Sequence, residues 1–424
     1  MGIKGLLKLL KNEAPGCITE KHISAYNEKV IVIDALNIII RHVMAILSGG
    51  ENNYSHVMAI WYKTISFLNN GNSPYYVFDG ASPNIKKNTL IERRKNKLKA
   101  KKRLNKLNSS PDIDKNEIER IKLVKKSYSL KKQDILDIKK ILTLLGLPYI
   151  QAPCEADTVC AMLNICNVAY GVVTEDMDIL PFGAPIMLRD FSNKKIIKEI
   201  NLQEAEKELE LTHSQFIDVC ILLGTDYCPS IKGMFKSDQI YKIYKNCGSM
   251  ENFIIYLQNL NNNNSSHYKI SPNFLKKWKI TKTYYMNSAM STKMIPKKFV
   301  WNKPDRVGLK NLLCDKFHFD VYETKKQIAN IMKIYNRYKK TGKISSKYNK
   351  HNKYNKYKYN IERFKRKNLF NGNNKIVQYK SYYPKYRRKN NHSKYCKFKL
   401  ITNASIRKCN IPMHTNINRK PHVT

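Results

Sequence analysis

The chain has 424 residues, 42% of them hydrophobic, which is enough for one large domain or two ordinary ones with a buried core. Its 77 Lys and Arg against 33 Asp and Glu give a net charge of +44, which indicates a polyanion, most commonly nucleic acid, with a membrane surface as the alternative. No apolar run reaches the roughly 20 residues of a membrane span, no signal peptide opens the chain, and the ten cysteines form no Cys-x-x-Cys pair, so we expect a reduced intracellular protein without zinc or disulfides.

Short β-branched runs alternate with helix-like stretches from residue 1 to about 255. This alternation predicts an α/β fold, a mostly parallel central sheet flanked by helices. Two of the runs end at an aspartate: residues 30–33 precede Asp34, and residues 75–78 precede Asp79. Because functional groups gather outside the carboxyl ends of parallel strands, we expect both aspartates at that edge.

Five further acids follow apolar runs or a helix start. They are Glu155, Asp157, Asp176, Asp178 and Asp226. Glu155 and Asp157 follow Pro153 at a predicted helix start, where the helix dipole favours carboxylates. Asp176 and Asp178 face the same side if the chain is still extended there. A single aspartate after a strand is usually a turn former or helix cap, but seven such acids in so basic a chain favour another explanation.

Divalent cations explain this recurrence of carboxylates. Two carboxylates about 4 Å apart repel by roughly 4 kcal/mol at an effective dielectric of 20. Hard oxygen ligands without a His or Cys pattern favour Mg²⁺, with Mn²⁺ as a plausible substitute. Two such ions about 3.5–4 Å apart can act on a phosphodiester. The sequence therefore predicts a two-metal phosphodiester hydrolase.

The segment from about residue 86 to 132 is dense in Lys and Arg and is predicted to be helical. It is either a solvated helical hairpin or a basic arch that grips single-stranded phosphates. Residues 340–424 carry about two dozen Lys and Arg and one acid, Glu362, which predicts a disordered basic tail. Such a tail adds affinity for nucleic acid without specificity, and deleting residues 341–424 should weaken DNA binding and flatten its salt dependence.

At its acidic motifs the chain resembles flap endonucleases of the Rad2/XPG superfamily of structure-specific 5′ nucleases, through about the first 335 residues. The motifs are Met1-Gly2-Ile3-Lys4-Gly5-Leu6, Val77-Phe78-Asp79-Gly80, Ala152-Pro153-Cys154-Glu155-Ala156-Asp157, Thr174-Glu175-Asp176-Met177-Asp178 and Leu223-Gly224-Thr225-Asp226-Tyr227-Cys228. The resemblance implies a PIN-like nuclease fold with XPG-type regions at 1–107 and 140–225. It also implies a helix-hairpin-helix-type segment for duplex binding within 226–335.

The resemblance also implies residue roles. Asp34, Asp79, Glu155 and Asp157 would hold one metal ion; Asp157, Asp176 and Asp178 would hold the second, with Asp226 contributing through water. Lys86 and Arg93 would steer and polarise the scissile phosphate, and Gly2 would lie close to the metals. The candidate DNA contacts are Lys63, Lys86, Arg93, Arg94, Lys232, Gly233 and Lys236.

Four positions depart from the flap endonuclease pattern. Asp157 stands where these enzymes have glutamate, and the exonuclease-1 branch also has aspartate there. Ile40 stands in place of a tyrosine that stacks on a base, and Leu47 in place of an arginine near the strand-bending wedge. Phe235 replaces a glycine of the run that approaches a phosphate and a potassium ion.

The sequence thus predicts a Mg²⁺-dependent nuclease that cuts DNA near 5′-flap junctions in replication and repair. A 5′→3′ exonuclease, a junction resolvase and a non-catalytic DNA-structure binder are the alternatives. We expect a monomer that binds DNA and no membrane, and no sliding-clamp peptide is recognisable near the end. The expected location is the nucleus, or a cytoplasmic replication site if a large DNA virus encodes the chain.

Overall fold

The computed structural model describes residues 2–47, 54–109, 117–191, 195–233, 236–262, 268–287 and 295–346. All of them lie in one compact unit, Met1–Asn355. Phe235 and the tail from residue 347 onward, both subjects of sequence predictions, lie outside the described residues.

A sheet of seven strands forms the centre of the described part. The strands are β1 (Ile18–His22), β2 (Val30–Asp34), β3 (Ser73–Phe78), β4 (Tyr149–Gln151), β5 (Gly171–Val173), β6 (Ile186–Arg189) and β7 (Ile196–Asn201). Their order is β1-β7-β6-β5-β2-β3-β4, in which β7 is antiparallel to both neighbours and the other pairs are parallel. The predicted mostly parallel sheet is confirmed.

The direction in which strands are added reverses at β2. From β2 the chain adds β3 and β4 on one side, and then it crosses to the other side of β2 to add β5 and β6. Open α/β sheets bind their ligands at such a switch point, outside the carboxyl ends of the strands. The site is therefore expected where β2, β3 and β5 end.

Helices cover both faces of the sheet. They are α1 (Leu6–Glu13), α2 (Ala35–Ile46), α3 (Ser55–Asn69), α4 (Lys87–Asn108), α5 (Glu117–Ser127), α6 (Lys132–Leu144), α7 (Ala156–Ile165), α8 (Leu202–Leu209), α9 (His213–Leu223), α10 (Ser237–Cys247), α11 (Met250–Asn262), α12 (Phe274–Asn287), α13 (Arg306–Lys310) and α14 (Val321–Thr341). A single π-helical turn, Asn311–Lys316, joins α13 to α14.

The alternation of side chains along the strands produces two hydrophobic cores. Val32 and Val172 point into the core that contains α1 and α7–α12. Ile31, Ile33 and Val173 point into the core that contains α2, α3, α6, α13 and α14. Because successive strand residues face opposite sides, a continuous apolar run is what a strand covered on both faces requires.

Two elements differ from the rest. The pair α4 and α5 is helical, as predicted for residues 86–132, and Ala100 is the single buried residue of α4.

At the C-terminal end of the described residues, α14 continues to Thr341 and Ile344 is fully buried. The predicted tail boundary at residue 340 is thus wrong for residues 340–346, because an isoleucine in the basic segment completes the core.

Candidate active site

The first two acids lie at the carboxyl ends of β2 and β3. Asp34 is the last residue of β2 and caps α2, and its Oδ1 accepts the backbone N–H of Asn37 at 3.2 Å. Asp79 directly follows β3, and its Oδ1 accepts the backbone N–H of Ala156 at 2.8 Å. Both aspartates thus lie at the expected edge, and Asp79 also joins the sheet to the start of α7.

The second pair of acids begins α7. Glu155 is the residue before the helix, and Asp157 lies in its first turn, as the sequence predicts. The unpaired backbone N–H groups and the dipole at a helix start favour negative charge there. Asp79, Glu155 and Asp157 therefore approach one another from a strand end and a helix start.

Asp176 and Asp178 follow β5 in a tight turn. A short 3₁₀ helix, Met177–Ile179, begins after Asp176, whose Oδ1 accepts the N–H of Asp178 at 3.2 Å. The chain is therefore not extended between them, and the condition for the two side chains to face one side of a strand is not met. The turn brings the two carboxylates into the site instead, because the Thr174 hydroxyl accepts the N–H of Asp176 at 3.1 Å and fixes the start of the turn.

The N-terminal segment packs on this turn. Gly2 has a φ of +79°, and a Cβ at that position would overlap Asp176 Oδ1 and the backbone nitrogen of Met177. Only glycine combines this backbone conformation with so close an approach. Gly2 thus lies beside the acids, which is where the resemblance places it.

The seventh acid, Asp226, faces two basic residues at the base of α4. Arg93 donates from one terminal nitrogen to both carboxylate oxygens of Asp226, at 2.8 and 2.6 Å. Lys86 forms an ion pair with Glu155 Oε1, and its Nζ lies 3.8 Å from Asp226 Oδ2. The hydroxyl of Thr89 donates to the Asp226 carbonyl at 2.7 Å. These contacts join α4 to the acids.

We call the seven acids the carboxylate cluster: Asp34, Asp79, Glu155, Asp157, Asp176, Asp178 and Asp226. Burial and mutual repulsion raise the pKa values of several of them. The pKa of Asp34 is raised to about 8, first by burial and then by the charges of Asp79 and Asp176. Burial, followed by repulsion from Asp34, raises the pKa of Asp157 well above the usual range. Burial, followed by repulsion from Asp176, does the same to the pKa of Asp178.

The same acids favour the charged form of Lys86. Burial disfavours the Lys86 ammonium, but Glu155 and Asp226 outweigh that effect and raise the pKa of Lys86. Lys86 therefore stays charged at neutral pH. The cluster attracts positive charge, and Lys86 and Arg93 supply part of it.

A divalent cation would supply the remaining positive charge that the carboxylate cluster requires. Asp157 Oδ1 is buried and has no hydrogen-bond partner among the described residues. An unsatisfied buried polar atom costs about 1–3 kcal/mol, so an oxygen left in this way calls for a partner. The donors are all carboxylate oxygens, which suit Mg²⁺ or Mn²⁺. Within the described ranges no three His, Cys, Asp or Glu side chains already stand in a ligand arrangement.

Sequence reasoning missed three residues that contact the cluster. Tyr227 and Tyr284 donate their hydroxyls to Glu155 Oε2, at 2.5 and 3.1 Å. The hydroxyl of Tyr285 lies 3.5 Å from Asp178 Oδ1. The position of Tyr227 next to Asp226 is a signal in the sequence. Tyr284 and Tyr285 carry none, because the folding of α12 alone brings them to the site.

One predicted DNA contact is wrong. Lys63 is only 4% exposed, and its Nζ donates to the carbonyl of Phe191 at 2.6 Å. Burial lowers the pKa of Lys63 to about 7. Lys63 lies on the inner side of α3 among apolar residues, so its side chain is not available at the surface.

The other predicted DNA contacts lie on the surface. Arg94 is exposed on α4, and Lys232, Gly233 and Lys236 are exposed between α9 and α10. Gly233 has a φ of +84°, in the region that favours glycine. Lys236 directly precedes α10 and lines a recess with other basic residues near α1, Lys4 and Lys8.

A basic cavity lies between α4 and α5. Its volume is about 530 Å³, and it is lined by Arg93, Lys97, Lys99, Arg103 and Lys126, with Ala100 and Leu123 at its apolar side. This cavity begins at Arg93, which also contacts the carboxylate cluster. A phosphate chain bound there would lead directly to the acids.

Two departures from the flap endonuclease pattern fall on α2 and its end. Ile40 is half-buried, and Leu47 is 7% exposed in the core beside α2. Neither side chain offers an aromatic face or a charge to DNA.

No helix among the described residues is long and apolar enough to cross a membrane.

Comparisons with known proteins fall on the same regions. The family model of the XPG N-terminal domain matches residues 1–100, and that of the XPG I-region matches residues 146–226. Flap endonuclease 1 of Entamoeba histolytica is 34% identical over 352 residues, which cover 80% of this chain and 89% of that protein. Flap endonuclease 1-A of Oryza sativa subsp. japonica is 35% identical over 349 residues, which cover 80% and 88%.

Solved structures share the fold. The catalytic core of Rad2 in complex with DNA substrate matches with a TM-score of 0.61 at 20% identity, over 78% of this chain and all of that one. Flap endonuclease-1 from Methanococcus jannaschii matches with a TM-score of 0.53 at 24% identity, over 76% and 98%. These matches confirm the predicted α/β nuclease fold.

Proposed function

The chain belongs to the flap endonuclease family of structure-specific 5′ nucleases, and we propose that it cuts DNA near 5′-flap junctions with two divalent cations in its carboxylate cluster. The observation that carries this proposal is the buried, unpartnered Oδ1 of Asp157 among acids with raised pKa values. A cluster that served only to bind DNA would repel the phosphates it has to hold.

The proposed ligand sets are those that the resemblance to flap endonucleases implies. Asp34, Asp79, Glu155 and Asp157 would hold one Mg²⁺, and Asp157, Asp176 and Asp178 the second. Asp226 would contribute through water, and Mn²⁺ would substitute. When bound, such ions lower the pKa of water and neutralise charge on the phosphate.

Lys86 and Arg93 act on the scissile phosphate in this proposal. Both contact carboxylates of the cluster, Lys86 at Glu155 and Arg93 at Asp226. With positive charge supplied to those acids, the two side chains become available to a phosphate at the cluster. They stabilise the negative charge that develops on the phosphate oxygens during hydrolysis.

The arch and the α9–α10 surface bind the two parts of the substrate. The basic cavity between α4 and α5 suits the phosphates of a single-stranded flap, and Arg94 extends its charge. Lys232, Gly233 and Lys236 would contact the duplex backbone next to the start of α10. With this division, the junction between the flap and the duplex would lie next to the carboxylate cluster.

The remaining properties of the proposal concern partners and location. We propose a monomer, because one chain carries the acids, the arch and the duplex surface. The basic tail would add DNA affinity and suits a nuclear address. Gel filtration with light scattering and the location of a fluorescent fusion test these two points.

The function is tested by cleavage of a labelled 5′-flap duplex in Mg²⁺, beside a 3′ flap, a nicked duplex and a four-way junction. Asp178→Asn is the catalytic control, because it removes one carboxylate of the cluster and keeps the size of the side chain. We expect incision at the flap base that disappears in Asp178→Asn and in chelator. Stepwise release from the nicked duplex would indicate an exonuclease instead, and binding without product in Mg²⁺ or Mn²⁺ would refute catalysis.

A further inference from the structure

Helix α12 reaches the carboxylate cluster from a part of the chain that neither family model matches. Tyr284 donates its hydroxyl to Glu155 Oε2 at 3.1 Å, beside the hydroxyl of Tyr227 at 2.5 Å on the same oxygen. The ring of Tyr284 packs against those of Phe182 and Tyr227, with centroid distances of 5.7 and 5.2 Å. Aromatic packing therefore fixes the ring that carries the hydroxyl.

A buried carboxylate holds α12 in this position. Asp218 on α9 is 3% exposed and accepts Trp278 Nε1 and Lys282 Nζ of α12, each at 2.7 Å. The hydroxyl of Tyr244 on α10 donates to the same carboxylate at 2.7 Å. Two of these three donors come from α12, so the buried anion anchors this helix just before Tyr284.

The hydrogen-bond donors to Glu155 are distributed unequally over its two carboxylate oxygens. Oε2 accepts two tyrosine hydroxyls, whereas Oε1 contacts only the ammonium of Lys86 among the described residues. A carboxylate offers about four acceptor positions, two on each oxygen, so Oε2 is fully used. Oε1 is the oxygen that a cation can reach.

We propose that Tyr284 is a positioning residue for metal binding, which holds Glu155 so that Oε1 faces the cation. This inference rests on the proposed cation site of the carboxylate cluster. Removing the hydroxyl of Tyr284 frees one acceptor position on Oε2 and lets Glu155 turn. The cation affinity then falls, while the phenyl ring keeps the packing around it.

A second site in the same protein provides a matched control. Glu199 on β7 accepts Lys21 Nζ on Oε1 at 2.7 Å and the hydroxyls of Tyr26 and Tyr170 on Oε2, each at 3.0 Å. The arrangement of one lysine and two tyrosines is the same as at Glu155. Tyr170 directly precedes β5, whereas the carboxylate cluster follows the carboxyl ends of the strands, so the Glu199 site lies at the other edge of the sheet.

The test uses the full chain with Tyr284→Phe and Tyr170→Phe. Binding of Mn²⁺ without DNA is measured by electron paramagnetic resonance, and cleavage is measured as a function of Mg²⁺ concentration. We expect Tyr284→Phe to weaken Mn²⁺ binding about 3- to 10-fold, the factor that corresponds to the net contribution of one typical hydrogen bond. The Mg²⁺ concentration for half-maximal cleavage should rise by a similar factor, with the rate at saturating Mg²⁺ little changed.

The outcomes separate the inference from the proposed function. Tyr170→Phe should bind Mn²⁺ like the wild type. An unchanged affinity in Tyr284→Phe, or an equal loss in both variants, would overturn the positioning role while the nuclease proposal stands. A wild-type protein that binds no Mn²⁺ and cleaves no flap would instead overturn the proposed cation site itself.

Discussion

Replacing Asp34 with asparagine tests whether the carboxylate cluster repels itself in the absence of cations. Asparagine keeps an oxygen for the N–H of Asn37 but removes the charge. The folded-state pKa of Asp34 is about 8, against an ordinary 3.8. A raised carboxyl pKa contributes stability that is present below about pH 4 and lost as the pH rises through 8.

The magnitude follows from the shift. At about 1.4 kcal/mol per pKa unit, this one group lowers the free energy of unfolding by up to about 4 kcal/mol between pH 5 and pH 8. Neighbouring aspartates share the proton, so we expect about 2–4 kcal/mol. Asp34→Asn should therefore become more stable relative to the wild type by this amount as the pH rises.

The assay is urea unfolding of both proteins in chelator, at pH 5, 6.5 and 8. Glu199→Gln is the matched control, since Glu199 is equally buried in the same sheet but pairs with Lys21. That variant should be less stable than the wild type at every pH. Mg²⁺ should then stabilise the wild type more than Asp34→Asn, because the variant has lost a ligand. Parallel pH curves for Asp34→Asn and the wild type would refute the electrostatic reasoning.

Three further predictions concern catalysis and DNA binding. Arg93→Gln should lower the maximal cleavage rate in single-turnover kinetics about 10²–10³-fold. The loss of flap affinity should be much smaller, because the cavity keeps Lys97, Lys99, Arg103 and Lys126. A pure loss of affinity would contradict the role of Arg93 at the scissile phosphate. Gly2→Ala should lower cleavage because its Cβ would overlap Asp176 Oδ1, and near wild-type rates would show that the N-terminal segment can move away. Deleting residues 347–424 spares the buried Ile344. The deletion should weaken DNA binding and flatten the dependence of log K on the logarithm of the salt concentration. An unchanged salt slope would exclude the tail as a DNA contact.

The sequence predicted those parts of the site that local pattern decides. Asp34 and Asp79 end apolar runs, and Glu155 and Asp157 follow a proline at a helix start. Each position is dictated by the element that contains it, so periodicity and caps were enough. The sheet direction followed in the same way, because strands buried on both faces read as continuous apolar runs.

The features that the sequence did not predict share one physical cause, because tertiary packing decides each of them. The turn at Asp176 depends on the hydroxyl of Thr174, and the contact of Tyr284 depends on how α12 is anchored on α9. Lys63 looks like any basic residue in the sequence, but α3 presents it to the core. Charge alone says nothing about the face of a helix on which it lies.

The contacts of Lys86 and Arg93 give a physical reason for an order of events at the site. As long as the carboxylates carry negative charge, Glu155 and Asp226 retain these two side chains, and an approaching phosphate meets net repulsion. Among the described residues, the lining of the basic cavity between α4 and α5 contains no Asp or Glu, and Lys97, Lys99 and Lys126 do not contact the carboxylate cluster. These lysines can therefore bind DNA in either state of the cluster. DNA binding and cleavage should therefore respond differently to chelation: affinity for a flap should fall modestly, whereas cleavage should vanish. If chelator abolished binding as well, the arch would not be an independent DNA contact, and the division of labour between the arch and the carboxylate cluster would be wrong.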